Sequence, residues 1–383
     1  MRILICPDSF KECLPAREVA EHIASGILGV MPGAAIKIVP MADGGEGTVA
    51  SLVDATGGRI IRLKVHDPLM RITDSFIGIL GTGESAVVEM AAASGLELLK
   101  PHEKDPWITS TFGTGELIKY ALDKGCRRII VGMGGSATND GGMGVAAALG
   151  IKFLDKNRQE LPQGGGSLGN LEHIDMTNLD KRIADCNLLL ACDVTNPLTG
   201  KNGASKVYGI QKGADSAMTE KLDRHLQHFA GQIKKHLGRE VEQIPGSGAA
   251  GGLAGGMMAF FDAGIRPGFE LISEITDLST WIVWADIVIT GEGKMDFQTQ
   301  FGKTPFGVAS LAKRYNKPVI AIAGALEKGY EVLYEKGIHA LVAVTDKPMP
   351  LELAIKDAGA LLEKAAERIF RLLKLGFDLK DIR

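Results

Sequence analysis

Short apolar runs alternate with stretches of helical period at both ends of this chain, and that alternation limits the folds open to it. Arg2–Cys6 reads as a strand, Pro7-Asp8-Ser9 as a turn, and Ala16–Leu28 as a helix with Val19, Ala20, Ile23 and Ile27 on one face. Gly29 and Gly33 bracket its end. A second strand, Ile36–Pro40, leads through Asp43-Gly44-Gly45 into a helix carrying Val49, Leu52 and Val53 that ends at Gly57-Gly58. The C-terminal part keeps the rhythm, with strands over Trp284–Thr290, Pro318–Ala323 and His339–Val344 and helices over Pro305–Tyr315, Glu327–Lys336 and Leu351–Leu375. Alternating strand–helix units predict a doubly wound parallel sheet. Neither end has strands enough for a good sheet, so residues 1–58 and 281–383 are expected to form one α/β domain, discontinuous in sequence.

The middle reads differently. Arg59–Val65 and Arg71–Leu80, joined at His66-Asp67-Pro68-Leu69, predict a hairpin. Strands over Ala86–Glu89, Arg128–Val131 and Leu188–Ala191 and helices over Gly115–Leu122, Met143–Leu149 and Met218–His236 follow. Residues 59–280 are therefore expected to be an inserted α+β domain. A small ligand commonly binds between two such domains.

Composition narrows the function classes. With 49 glycines, 45% apolar residues and few aromatics, the core must be built from Ala, Val, Ile and Leu. A formal net charge of −3 argues against nucleic acid as the main partner, which needs a basic footprint. The weakly charged stretch 245–265 is Gly-rich and carries Asp262, a poor membrane span. No secretory signal is expected, because Pro7 and Asp8 cut short the first apolar run. Five cysteines without a C-x-x-C pair suggest reduced thiols, a cytoplasmic protein and no zinc site.

Three expected strands of the first domain end in polar loops: Asp8, Ser9 and Lys11; Asp43, Gly44, Gly45, Glu46 and Thr48; and Gly291, Glu292, Gly293, Lys294 and Asp296. Ligands in open α/β sheets bind beyond such strand ends. Any one loop reads equally as a turn, since Asp and Gly are turn residues, but the three together point to a ligand site. Val131–Gly144, with Gly134, Gly135, Ser136, Thr138, Asn139 and Asp140, follows a strand and opens a helix. Its glycines could turn backbone N–H groups toward an anion or serve close packing. It lacks the Lys of a P-loop and the third Gly of a dinucleotide fingerprint. Thr109–Glu116 reads first as helix capping. Asp193, at a strand end beside an Asn-Pro turn, could take a proton from a hydroxyl or be structural. Gly302-Lys303-Thr304 imitates the end of a P-loop, but Phe297 stands where its first Gly belongs. Lys303, Lys206 and Lys212 remain candidates for an anion, while His225 and His228 read as a solvated helix face.

Six stretches, in order, carry a resemblance: Pro7-Asp8-Ser9-Phe10-Lys11, Pro40 to Thr48, Gly134 to Gly142, Ala191 to Leu198, Gln211-Lys212-Gly213-Ala214 and Ile289 to Gly293. The chain resembles the bacterial two-domain glycerate kinases. That resemblance implies a Rossmann-like first domain with the second inserted, and transfer of the ATP γ-phosphoryl group to D-glycerate with Mg²⁺. The 2-phosphate product is favoured. The alternatives are a 3-phosphate-forming kinase, a kinase for another small hydroxy acid, or a non-catalytic nucleotide-binding regulator. On this reading Asp193 is the base, Asp43 the second choice, and Lys11 an anion contact. Asp8, Ser9, Gly44, Gly45, Glu46, Gly134, Gly135, Ser136, Thr138, Asn139, Asp140 and Lys212 would bind substrate or phosphate, and Glu292 and Asp296 the metal. A homo-oligomer is left open. Glu12 and Cys13 depart from the family's expected Gly and Ser, and Lys294 and Met295 from Arg and Ile.

Overall fold

A computed structural model describes residues 1–380. The chain forms two compact units. The first comprises Met1–Asp43, Asp54–Thr56 and the chain from Phe269 onward; the second comprises Gly44–Val53 and Gly57–Gly268. Borders were expected after residues 58 and 280, whereas 44–53 and 57–58 pack with the second unit and 269–280 with the first.

The first unit is built on a five-stranded sheet in the order Ala340–Ala343, Val319–Leu326, Ile287–Met295, Arg2–Ile5, Ala35–Ile38. Every pairing in it is parallel. Strands from the two ends of the chain meet at its centre, with Ile3 opposite Ile287 and Ile5 opposite Ile289. Ile3 and Ile5 join Val19, Ile23 and Ile27 of the helix Ala16–Val30 and Leu362 and Phe370 of the helix Ala358–Lys380 in one apolar cluster. Leu4 and Val288 point to the opposite face and are also fully buried. A parallel sheet covered on both faces explains why its strands read as continuous apolar runs.

Several features of this unit differ from the sequence reading, among them the expected helix Glu327–Lys336, of which only Val332–Glu335 is helical. Trp284 ends a helix, Leu278–Trp284, instead of opening a strand; Trp281 and Trp284, three residues apart, stack edge to face at 6.0 Å, a helical spacing. The strand then runs on to Met295, so Gly291–Lys294 is not a loop. It pairs with the next strand throughout, Glu292 opposite Ala323 and Lys294 opposite Ala325. The glycines permit that approach, since a Cβ on Gly324 would lie 2.3 Å from the Gly293 carbonyl oxygen. Finally, the long C-terminal helix is interrupted at Asp357 (φ −100°, ψ 12°) between Leu351–Lys356 and Ala358–Lys380.

The second unit carries a mixed six-stranded sheet in the order Gly264–Arg266, Asn187–Ala191, Arg128–Gly132, Ser85–Glu89, Ile72–Ile79, Arg59–His66. The first four strands are parallel and the hairpin antiparallel, with His66 opposite Ile72. The apolar helix Leu253–Phe261 and the small antiparallel pair Lys152–Leu154 and His173–Asp175 are elements that sequence pattern did not mark. Leu253–Phe261 is buried almost all round, so it has no polar face to set its period. No helix among the described residues is long and apolar enough to cross a membrane, and the five cysteines are free thiols.

Candidate functional site

In the first unit, the chain leaves the strand Arg2–Ile5 still paired with its neighbour: the N–H groups of Cys6 and Asp8 donate to the carbonyls of Ile289 and Gly291, each at 2.8 Å. Asp8 is thereby fixed at the carboxyl end of the sheet, 5% exposed. Its Oδ1 accepts the Ser9 N–H (2.7 Å), and its Oδ2 accepts the hydroxyl of Thr304 (2.6 Å), the first residue of the helix Thr304–Arg314. Glu292, on the adjacent strand, accepts the Thr299 hydroxyl (2.8 Å) and stands 3.5 Å from Lys303 Nζ. Asp43 lies 3.9 Å from Lys11 Nζ. Burial and then the negative charge of Asp43 push the Asp8 carboxyl up to about 7, with Glu292 adding to the rise and the Thr304 and Ser9 hydrogen bonds opposing it. Burial likewise raises Glu292, against the pull of Lys303. All these groups except Thr299 and Thr304 line one cavity of about 410 Å³.

Two of the three expected strand-end loops thus supply Asp8 and Asp43, and the third contributes Glu292 from within a strand. Thr304 and Thr299 were missed, although Gly302-Lys303-Thr304 had drawn attention to the segment. Asp296 turns the other way: it caps the short turn Phe297–Gln300, accepting the Gln298 N–H at 2.8 Å. Among the described residues, no group of three or more His, Cys, Asp or Glu side chains is arranged to hold a metal ion.

The turn after Asp8 holds Glu12 at φ 59°, in the left-handed region, between mutual Phe10 and Leu14 backbone hydrogen bonds of 2.9 Å. Glycine adopts that conformation without the penalty of about 1–2 kcal/mol that a Cβ carries. Part of this gain is offset by glycine's greater freedom when unfolded, about 0.4–1 kcal/mol. Glu12→Gly is expected to raise stability by about 0.5–1 kcal/mol, read as a small upward shift of the thermal melting midpoint; a fall would show that Glu12 makes compensating contacts.

In the second unit, the glycine-rich loops lie backbone to backbone. Gly44 (φ 88°) packs on the end of the strand Asn187–Ala191, and a Cβ on Gly132 would lie 2.5 Å from the Gly44 carbonyl oxygen. The helix Thr48–Thr56 has its N-terminus filled from within: Glu89 accepts the N–H of Val49 at 2.7 Å and that of Gly47. Burial pushes Glu89 up to about 7. This residue also went unmarked; its only signal was a carboxylate closing the apolar run Ala86–Val88.

Gly134 and Gly135 are exposed, but Thr138, Asn139 and Asp140 are fully buried. Asp140 accepts the backbone N–H and hydroxyl of Thr111, both at 2.8 Å, and the N–H groups of Gly142 (3.0 Å) and Gly144 (3.2 Å). The two bonds from Thr111 tie one loop to another, and the two from Gly142 and Gly144 close the turn that opens the helix Met143–Ala148. Asn139 donates to Ser205 (2.9 Å). Lys212, 2% exposed, donates to the Thr138 carbonyl (2.6 Å) and Ser136 Oγ (3.1 Å). Burial lowers its amine to about 7, with Asp140 opposing. Lys206 pairs with Glu220 at 2.8 Å. Asp193 is exposed at the strand end, and its Oδ1 accepts the Gly268 N–H at 3.0 Å. Asp140→Ala strands four buried donors, so a loss of about 3–5 kcal/mol is expected, measured as a lowered urea midpoint; a near-wild-type midpoint would mean that water replaces those bonds.

The sequence matches the model of the glycerate kinase family over residues 3–374. The chain belongs to that family. It is 49% identical over 367 residues to a glycerate kinase of Halalkalibacterium halodurans, covering 96% of this chain and 97% of that one. It is 46% identical over 376 residues to glycerate 2-kinase of Escherichia coli, covering 98% and 99%. A crystal structure from Salmonella typhimurium LT2, described as a candidate glycerate kinase 2, superposes with a TM-score of 0.90 at 46% identity, covering 99% of each chain.

Proposed function

We infer that this chain is a glycerate kinase, a phosphotransferase that uses ATP to phosphorylate an alcohol group of D-glycerate, with 2-phospho-D-glycerate as product. The observation that carries the reading is similarity over nearly the whole length to proteins named for this activity, one of them a glycerate 2-kinase. The assignment of roles to residues is ours. Phosphoryl transfer needs mainly positioning and charge neutralisation. Lys11 and Lys303 supply positive charge beside the buried carboxylates of the first unit. Asp8, Asp43 and Glu292 are all oxygen donors, and their mutual repulsion is what a divalent cation would relieve. That suits Mg²⁺, which takes one or two carboxylates and keeps phosphate and water oxygens for the rest. One or two of these carboxylates, together with phosphate and water oxygens, would hold it, and its chemistry there would be to neutralise phosphate charge. Asp193, oriented by the Gly268 N–H, is the proposed base for the acceptor hydroxyl. The exposed backbone at Gly134 and Gly135 is the part of the second glycine-rich loop open to the substrate's carboxylate. The first unit is read as a Rossmann-like domain, discontinuous in sequence, and the second as an inserted α+β domain.

Proton-coupled phosphorus NMR of the product tests the activity and the position together. An ester on C2, which bears one hydrogen, gives a doublet, the expected result. A triplet would assign the CH₂ carbon, C3, and no glycerate ester at all would overturn the reading.

A further inference from the structure

The cavity of the first unit has two chemically different walls. One carries the carboxylates and lysines described above. The other is apolar: Leu351, Ala354 and Ile355, at the i, i+3, i+4 spacing of one face of the helix Leu351–Lys356, with Ala358 from the start of the next helix and Val344. Leu351 is 73% and Ile355 38% exposed, whereas Ala358 and Val344 are buried, so the chain itself leaves the outer part of this wall uncovered. Glycerate, a three-carbon polar acid, has no surface that would use it. A nucleoside does, and about 410 Å³ falls within the range of small-ligand sites. The charged wall restricts the ligand further. Four carboxylates (Asp8, Glu12, Asp43, Glu292) face three lysines (Lys11, Lys294, Lys303), so a bare triphosphate meets no net positive charge, whereas a metal-bound one brings its own neutralising cation.

We propose that this cavity is the nucleotide site: the purine nucleoside of a divalent-metal nucleoside triphosphate lies on the face formed by Leu351, Ala354, Ile355 and Ala358, and its phosphates lie at the carboxylate–lysine wall. The proposal rests on the reading of the chain as an ATP-dependent kinase and adds to it which unit holds the base.

The test is calorimetric binding of Mg-ATP to the full chain and to two variants of the apolar wall, Ala354→Trp, which fills it, and Ile355→Glu, which sets a negative charge in it. Both positions are only partly buried, so folding is checked by thermal melting and is expected to hold. Each variant should weaken Mg-ATP binding tenfold or more with D-glycerate binding unchanged, and adenosine should compete with Mg-ATP on the wild type. Wild-type Mg-ATP affinity in both variants, or in whichever one folds, would overturn the proposal. Turnover of glycerate by the wild type is measured separately. A wild type that binds Mg-ATP through this wall but does not phosphorylate glycerate would sink the activity and leave the nucleotide site standing.

Discussion

Asp193→Asn is expected to lower kcat by about 10²–10⁴, the usual worth of a positioned base, with little change in Mg-ATP affinity or melting temperature. The side chain is exposed at the carboxyl end of the strand Asn187–Ala191, and one of its oxygens is held by the Gly268 N–H. An asparagine oxygen can still accept that hydrogen bond, so the substitution removes charge and proton affinity while preserving the anchor. Steady-state kinetics with both substrates saturating decides the matter. A kcat within a few-fold of wild type in a folded variant would show that Asp193 only anchors the Gly268 N–H, and the base would have to be sought elsewhere.

Asp8→Asn is expected to move activity and stability in opposite directions. The Asp8 carboxyl stands at about 7 in the folded chain against an ordinary value of 3.8. Between those values the folded state holds more protons than the unfolded state. Stability therefore falls as pH rises through this window and is flat above it. An amide stays neutral, so the variant should match wild type near pH 4 and gain progressively up to pH 7. At about 1.4 kcal/mol per unit the gain amounts to a few kcal/mol. Catalysis should suffer meanwhile, by about 10²–10³ in kcat, as when one preorganised charge-stabilising group is lost. The Mg²⁺ concentration needed for half-maximal rate should rise as well. Melting curves from pH 4 to pH 8, in the absence of divalent ions, read the stability arm. A variant less stable than wild type at pH 8 would mean that the Thr304 and Ser9 hydrogen bonds need a charged acceptor more than the site suffers from like-charge repulsion.

The convergence of Asp8, Asp43 and Glu292 was legible in the sequence because strand ends can be read from apolar runs, and the carboxyl edge of a parallel sheet is where a chain of this class gathers polar groups. The hairpin of residues 59–80 and the strands at both ends were readable for the same reason, short apolar runs bounded by turn residues. What stayed hidden depends on tertiary partners. Thr304 reaches Asp8 across 296 residues, and Glu89 fills a helix end 40 residues before it. Neither pairing leaves a local mark. Asp140 shows the opposite difficulty. A carboxylate saturated by backbone N–H groups and one poised for a cation look alike in a glycine-rich motif, and only the fully buried position with four protein donors separates them. Glu12 could be flagged where the family resemblance calls for glycine, but the reason, a left-handed turn residue, belongs to the backbone. The face from Leu351 to Ala358 had visible helical spacing, while the cavity it walls did not.

The central claim is transfer of phosphate from ATP to C2 of D-glycerate. The most direct measurement couples the reaction through enolase, pyruvate kinase and lactate dehydrogenase, without phosphoglycerate mutase or added phosphoenolpyruvate, with omission of enolase as the blank. The account predicts loss of NADH absorbance that requires both D-glycerate and enolase. No loss of NADH absorbance dependent on glycerate and enolase at saturating Mg-ATP would contradict it.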